Sequence, residues 1–235
     1  MDNRLLGEML GNTLFIVLSS FAVFNNRSRP LAMGGAMLLA AYFCYAIGSS
    51  YADINPALTL AKAFLGVYNL GEMFSTMTFQ IIGSLIGYIL LYWLYHDKAK
   101  VLADVATTDK VDTKGILVAA FCYTLLYFAF YKAGFKVGLF TVEVYLQGLL
   151  YYLIYAVFAN NSKFSIDAAG TVSRYIAYAI LPLENRNLTP WVECRRIIVY
   201  LLVGAYAGGI IAKALDFSLT FWNRQLRNSD FSWGS

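Results

Sequence analysis

Residues 55–64 read NPALTLAKAF and residues 167–176 read DAAGTVSRYI, one segment written twice with the polar signature of the second copy worn away. Aligned without a gap, Asn55 pairs with Asp167, Ala57 with Ala169, Thr59 with Thr171, Leu60 with Val172 and Lys62 with Arg174. Each copy follows an apolar stretch and is shorter than the roughly 20 residues that cross a bilayer. Interrupted apolar segments at matching places in two halves of a chain point to a transport site made by two half-helices that meet at the membrane midplane.

The rest of the chain agrees with a membrane setting. Hydrophobic residues make up 59% and charged residues only 14%, against about a quarter charged in soluble domains. Apolar stretches of spanning length cover 5–24, 31–50, 76–95, 115–133, 140–159 and 197–215. The expected fold class is therefore an all-α, multi-pass integral membrane protein. It has six transmembrane helices plus two re-entrant half-helices. A first repeat would occupy 1–96, a polar connector 97–114, a second repeat 115–215 and a C-terminal tail 216–235. Three spans per repeat is an odd number, so the second repeat enters from the opposite side and the repeats are inverted. Their register recurs elsewhere: Glu8 stands as far before Asn55 as Ala120 stands before Asp167.

Several functions are excluded at this level. The net charge is +4, but the Lys and Arg residues are scattered through short loops, which leaves no basic stripe for nucleic acid. Cys44, Cys122 and Cys194 are expected as buried small hydrophobes and not as a disulfide or metal set. His96 has no companion ligand and reads as an interfacial residue. No nucleophile with a base and no phosphate-binding loop appears, so no catalytic residue, metal or cofactor is expected. The first apolar stretch reads as a retained helix and not a removable signal. Orientation stays open, because placing the N-terminus in the cytoplasm puts most Lys and Arg on the far side.

Chemistry is expected at the two half-helix starts. Asn is among the best N-caps, Pro56 suits the first helical turn, and a helix N-terminus carries partial positive charge. The Asn55 amide is left to donate to a solute oxygen. An ionised Asp167 accepts only and offers no amide donor. Two readings of Asp167 stand side by side: an acid facing a water-filled path, or a helix end inside a closed protein. Arg174, two turns further on, is expected to reach toward an interface, and Asp53 to line a vestibule or sit in a solvated loop. Glu8 is expected to accept hydrogen bonds from the backbone of the first re-entrant loop, which must be satisfied by protein.

Asn55, Pro56 and Ala57 after a second span, Glu8 in the first, and Gln80, Gly83 and Gly87 in the third together resemble the aquaporin and glycerol-facilitator family, over nearly the whole chain. That resemblance implies a six-helix bundle, usually a homotetramer with one pore per subunit. The second family motif would be Asn-Pro-Ala-Arg, whereas this chain has Asp167, Ala168, Ala169 and Gly170. The Arg that charges the outer filter is thus missing. By the same resemblance the other filter positions fall on Gly35, Tyr155 and Phe164. Gly35 and Gly170 would widen the constriction and the two aromatic residues would fill it.

The expected function is a channel for water or small neutral solutes such as glycerol with altered selectivity. A variant admits cations because a carboxylate has replaced the family's charge. The alternative is a non-conducting subunit of a larger membrane complex, motivated by the one-sided decay of the second repeat and the 17% aromatic content.

Overall fold

The computed structural model describes residues 3–24, 28–47, 49, 52–95, 110–132, 136–137, 140–159, 163–181 and 190–229. The connector up to 109, His96 and the last residues of the tail lie outside this set. Eight helices follow one another among the described residues: α1 (Asn3–Phe24), α2 (Arg29–Ala46), α3 (Pro56–Phe64), α4 (Leu70–Leu94), α5 (Thr113–Lys132), α6 (Val142–Phe158), α7 (Ala168–Ile180) and α8 (Pro190–Ser229). A two-residue antiparallel ribbon, β1 (Lys136–Val137) with β2 (Phe140–Thr141), joins α5 to α6.

α1, α4 and the Trp191–Leu215 part of α8 are long and apolar enough to cross a membrane. At 18, 20 and 17 residues, α2, α5 and α6 reach about 25–30 Å, close to the hydrocarbon thickness. α3, with 9 residues, and α7, with 13, extend only about 13 and 20 Å and cannot cross. Large side chains such as Leu31, Phe74, Trp93, Leu149, Val157 and Val203 are exposed, as a lipid-facing surface requires. α8 continues through Ser229, so most of the expected tail 216–235 is an extension of the last helix, which meets no Pro or Gly between Gly209 and Gly234 to stop it.

The packing repeats itself. α1 lies on α4 as α5 lies on α8, α1 touches α2 as α5 touches α6, and α3 packs on α8 as α7 packs on α4. α2 meets α6 across the centre, where α3 also meets α7. This is the two-fold arrangement of an inverted repeat. The two principal crossings are made close by glycines in matching places. A Cβ on Gly83 would collide with the Met9 carbonyl and one on Gly87 would lie 2.9 Å from Ile16 Cβ. A Cβ on Gly204 would collide with the Leu117 carbonyl, and one on Gly208 with the Thr124 hydroxyl. Small residues four apart let helix backbones touch where no hydrophobic effect drives them together.

Candidate functional site

The first half-helix begins as its sequence dictates. Asn55 is extended (φ −144°, ψ 118°), its Oδ1 accepts from Ala57 N at 3.0 Å, and Pro56 takes the first helical position. The preceding Ile54 has φ +54°, unusual for a β-branched residue and a strain of roughly 1–3 kcal/mol. Glu8 holds it there. Its two carboxylate oxygens accept from Asp53 N at 2.7 Å and Ile54 N at 2.8 Å, and Gln80 Nε2 donates to it at 2.9 Å.

Asp53 neither lines a vestibule nor sits in solvent, contrary to expectation. It is fully buried and accepts from Lys62 Nζ at 2.6 Å and Thr59 Oγ1 at 2.9 Å. Lys62, nine residues on, lies on the same face of the hairpin and reaches back, so each charge offsets part of the other's desolvation cost.

The second half-helix is fastened differently. Ala120 stands where a second Glu8 would be and has no acceptor to offer. Three other groups take the loop backbone instead: Arg29 Nη2 donates to Phe164 O at 2.7 Å, Asn55 Nδ2 to Ile166 O at 2.7 Å, and Asp167 N to Ser165 Oγ at 3.1 Å. Asn55 Oδ1 also accepts from Ala168 N at 3.5 Å, so one side chain bridges both helix starts. Asp167 is buried, and its Oδ1 has no hydrogen-bond partner. Its Oδ2 lies over Gly170, where any Cβ would collide with it. Asp167 and Gly170, two of the three departures from the family motif, thus form a matched pair.

Asn55 has no amide hydrogen left for a solute. Besides Ile166 O, its Nδ2 donates to the Tyr151 hydroxyl at 2.8 Å. Tyr151 belongs to a column of buried rings: Tyr127 with Tyr123 (centroids 6.5 Å apart), Tyr123 with Tyr151 (5.3 Å), Tyr151 with Tyr155 (6.1 Å) and Tyr155 with Phe164 (5.3 Å). Phe15 packs edge-on against Tyr151 from α1 at 5.6 Å. A cation closes each end, Lys62 Nζ over Tyr127 at 5.2 Å and the Arg29 guanidinium over Tyr155 at 5.5 Å.

Beside Asp167 lies a cavity of about 50 Å³ lined by Phe15, Ser19, Arg29, Tyr88, Asp167 and Arg174 among others, room for a few water molecules. Arg174 therefore lines this cavity, against the expectation that it reaches toward an interface. It stands about 10 Å along the helix from Asp167, but long helical side chains lean back toward the N-terminus, and its Nε donates to Tyr88 Oη at 3.2 Å. Of the expected filter positions, Tyr155 and Phe164 touch each other, while Gly35 is not among the lining residues and Met33 of α2 is. Arg29, Lys62 and Tyr151 escaped the sequence reading. The one signal available was the spacing of tyrosines four apart, 123 with 127 and 151 with 155, which puts each pair on one helix face.

No family model matches the chain. Among curated proteins, glycerol uptake facilitator protein 3 of Lactiplantibacillus plantarum is 26% identical over 234 residues, covering 90% of this chain and 96% of the relative. The glycerol uptake facilitator protein of Bacillus subtilis is 24% identical over 241 residues, covering 92% and 87%. The solved aquaglyceroporin from Plasmodium falciparum superposes with a TM-score of 0.65 at 17% identity, over 88% of this chain and 93% of that one. The chain is similar to the glycerol facilitators over almost its whole length. It has the aquaporin fold, and with three described helices long and apolar enough to cross a membrane and facilitator relatives it is an integral membrane protein. Its first half-helix starts Asn-Pro-Ala with Glu8 against the preceding backbone, and its second starts Asp-Ala-Ala.

Proposed function

We propose that the protein is a membrane channel of the aquaglyceroporin type, passing water and small neutral solutes such as glycerol, and that the path closes where Tyr151 meets Asn55. The observation that carries this reading is the apposition of the two half-helix starts, with the Asn55 side chain touching Ala57 and Ala168 amides and the Ile166 carbonyl together. Irregular backbone at membrane depth is tolerated where it is buried in protein or lines a cavity, and here a polar cavity reaches Asp167 from one side. The names of the relatives, glycerol uptake facilitators, support the same solute class.

The ring column favours a second reading, a non-conducting subunit on the channel fold. Swelling of proteoliposomes in a glycerol gradient separates the two. The channel reading expects solute-dependent swelling above bare lipid when Tyr151→Ala removes the central ring, and slower swelling with the wild-type chain. Rates at the bare-lipid value in both would overturn the channel reading, and co-migration with a larger assembly after gentle detergent extraction would then support the non-conducting subunit.

A further inference from the structure

We propose that Arg29, at the start of α2, together with Arg174 on α7, supplies the positive charge of the solute path and is what keeps cations out of it. The inference rests on the channel reading and names the residues that set its charge selectivity.

Asp167 lines a water-sized cavity, and its buried Oδ1 has no hydrogen bond to offset the charge; this carboxylate would by itself draw cations in, the more strongly because the surroundings screen little. The same cavity is lined by two guanidiniums. Among the described lining residues two positive charges stand against one negative, so a cation meets a barrier that a neutral solute does not.

The charge cannot come from position 170. Asp167 Oδ2 lies over Gly170, and a Cβ there would also stand 2.9 Å from Ile16 Cδ1. Arg29 arrives instead from a different helix and is fixed in two directions, by its 2.7 Å bond to the Phe164 carbonyl and by the Tyr155 ring 5.5 Å beneath it. Arg174 is fixed against Tyr88 Oη of α4. Arginine suits both places, since its planar fork can bond a carbonyl or hydroxyl and stack on a ring while keeping its charge at any working pH. The cation variant expected from the sequence is thereby opposed: the carboxylate that suggested it is outweighed by its neighbours.

The test uses the Tyr151→Ala chain in proteoliposomes, with glycerol swelling and Na⁺ leak measured on the same vesicles. Arg29→Gln with Arg174→Gln is expected to raise the ratio of Na⁺ leak to glycerol permeability on the order of tenfold or more. Arg29→Lys, which keeps the charge, should hold the ratio near the parent's. Adding Asp167→Asn to the double variant should bring the Na⁺ leak back down, because the carboxylate is what attracts the ion. An unchanged ratio in the double variant, with swelling present, overturns the inference alone. Absence of swelling in the Tyr151→Ala parent overturns the channel reading and the inference with it. Should the double variant fail to fold, Arg174→Gln alone carries the test: a smaller rise in the ratio supports the inference and no rise overturns it.

Discussion

The Asn55 side-chain amide donates to the Tyr151 hydroxyl at 2.8 Å, between residues 96 positions apart, and with its bond to Ile166 O leaves the first half-helix cap no donor for a solute. A neutral buried hydrogen bond contributes about 1 kcal/mol. Tyr151→Phe therefore frees one amide hydrogen and shifts the balance toward an open path by about fivefold. Stopped-flow swelling should register this as a rate above wild type but below that of Tyr151→Ala, which also removes the ring.

Lys62 and Asp53 form a buried ion pair at 2.6 Å, with 4% and 0% of their side chains exposed. Removing one partner strands the other's charge. Lys62→Met should cost about 3–5 kcal/mol and lower the melting temperature in detergent. Lys62→Met combined with Asp53→Asn should recover much of that loss, because no unpaired charge remains. A Lys62→Met variant that melts with the wild type would show the pair to be energetically idle.

Glu8 uses both oxygens on the two amides that precede Asn55. Glu8→Gln keeps the size but leaves one acceptor where two are needed, and turns an amide NH2 donor toward the other N–H. The expected cost is about 1–3 kcal/mol, read as a lower melting temperature. Faster proteolysis within residues 52–55 should accompany it, since the left-handed Ile54 loses its restraint.

Gly170 and Asp167 should behave as one unit. Gly170→Ala pushes a methyl group into the Asp167 carboxylate and is expected to destabilise by roughly 1–3 kcal/mol. Asp167→Ala makes room for it. A double-mutant cycle on thermal stability should give a coupling of about 0.5–3 kcal/mol, and additive effects would show that the two positions vary independently.

What could be seen in the sequence was what neighbours in the chain decide. The half-helix starts at Asn55 and Asp167 follow from caps and short apolar runs, and the crossings at Gly83, Gly87, Gly204 and Gly208 follow from spacing within single helices. Charges with distant partners were not visible. Arg29 looks like any loop cation until Phe164 and Tyr155, more than 120 positions away, fold beneath it. Asp53 and Lys62 are close in sequence, but nothing local says that the hairpin carrying them is enclosed by Tyr127. Asp167 shows the same limit: its residue type announces an acid in the membrane, and only the fold reveals that two arginines line the same cavity.

In the channel reading solutes move between the caps at Asn55 and Asp167, and Tyr151 stands in their way. Glycerol permeability of proteoliposomes holding the wild-type chain, the Tyr151→Ala chain or no protein tests this outright. Tyr151→Ala is expected to exceed both wild type and bare lipid; identical rates in all three, with the variant folded and inserted, would rule the path out.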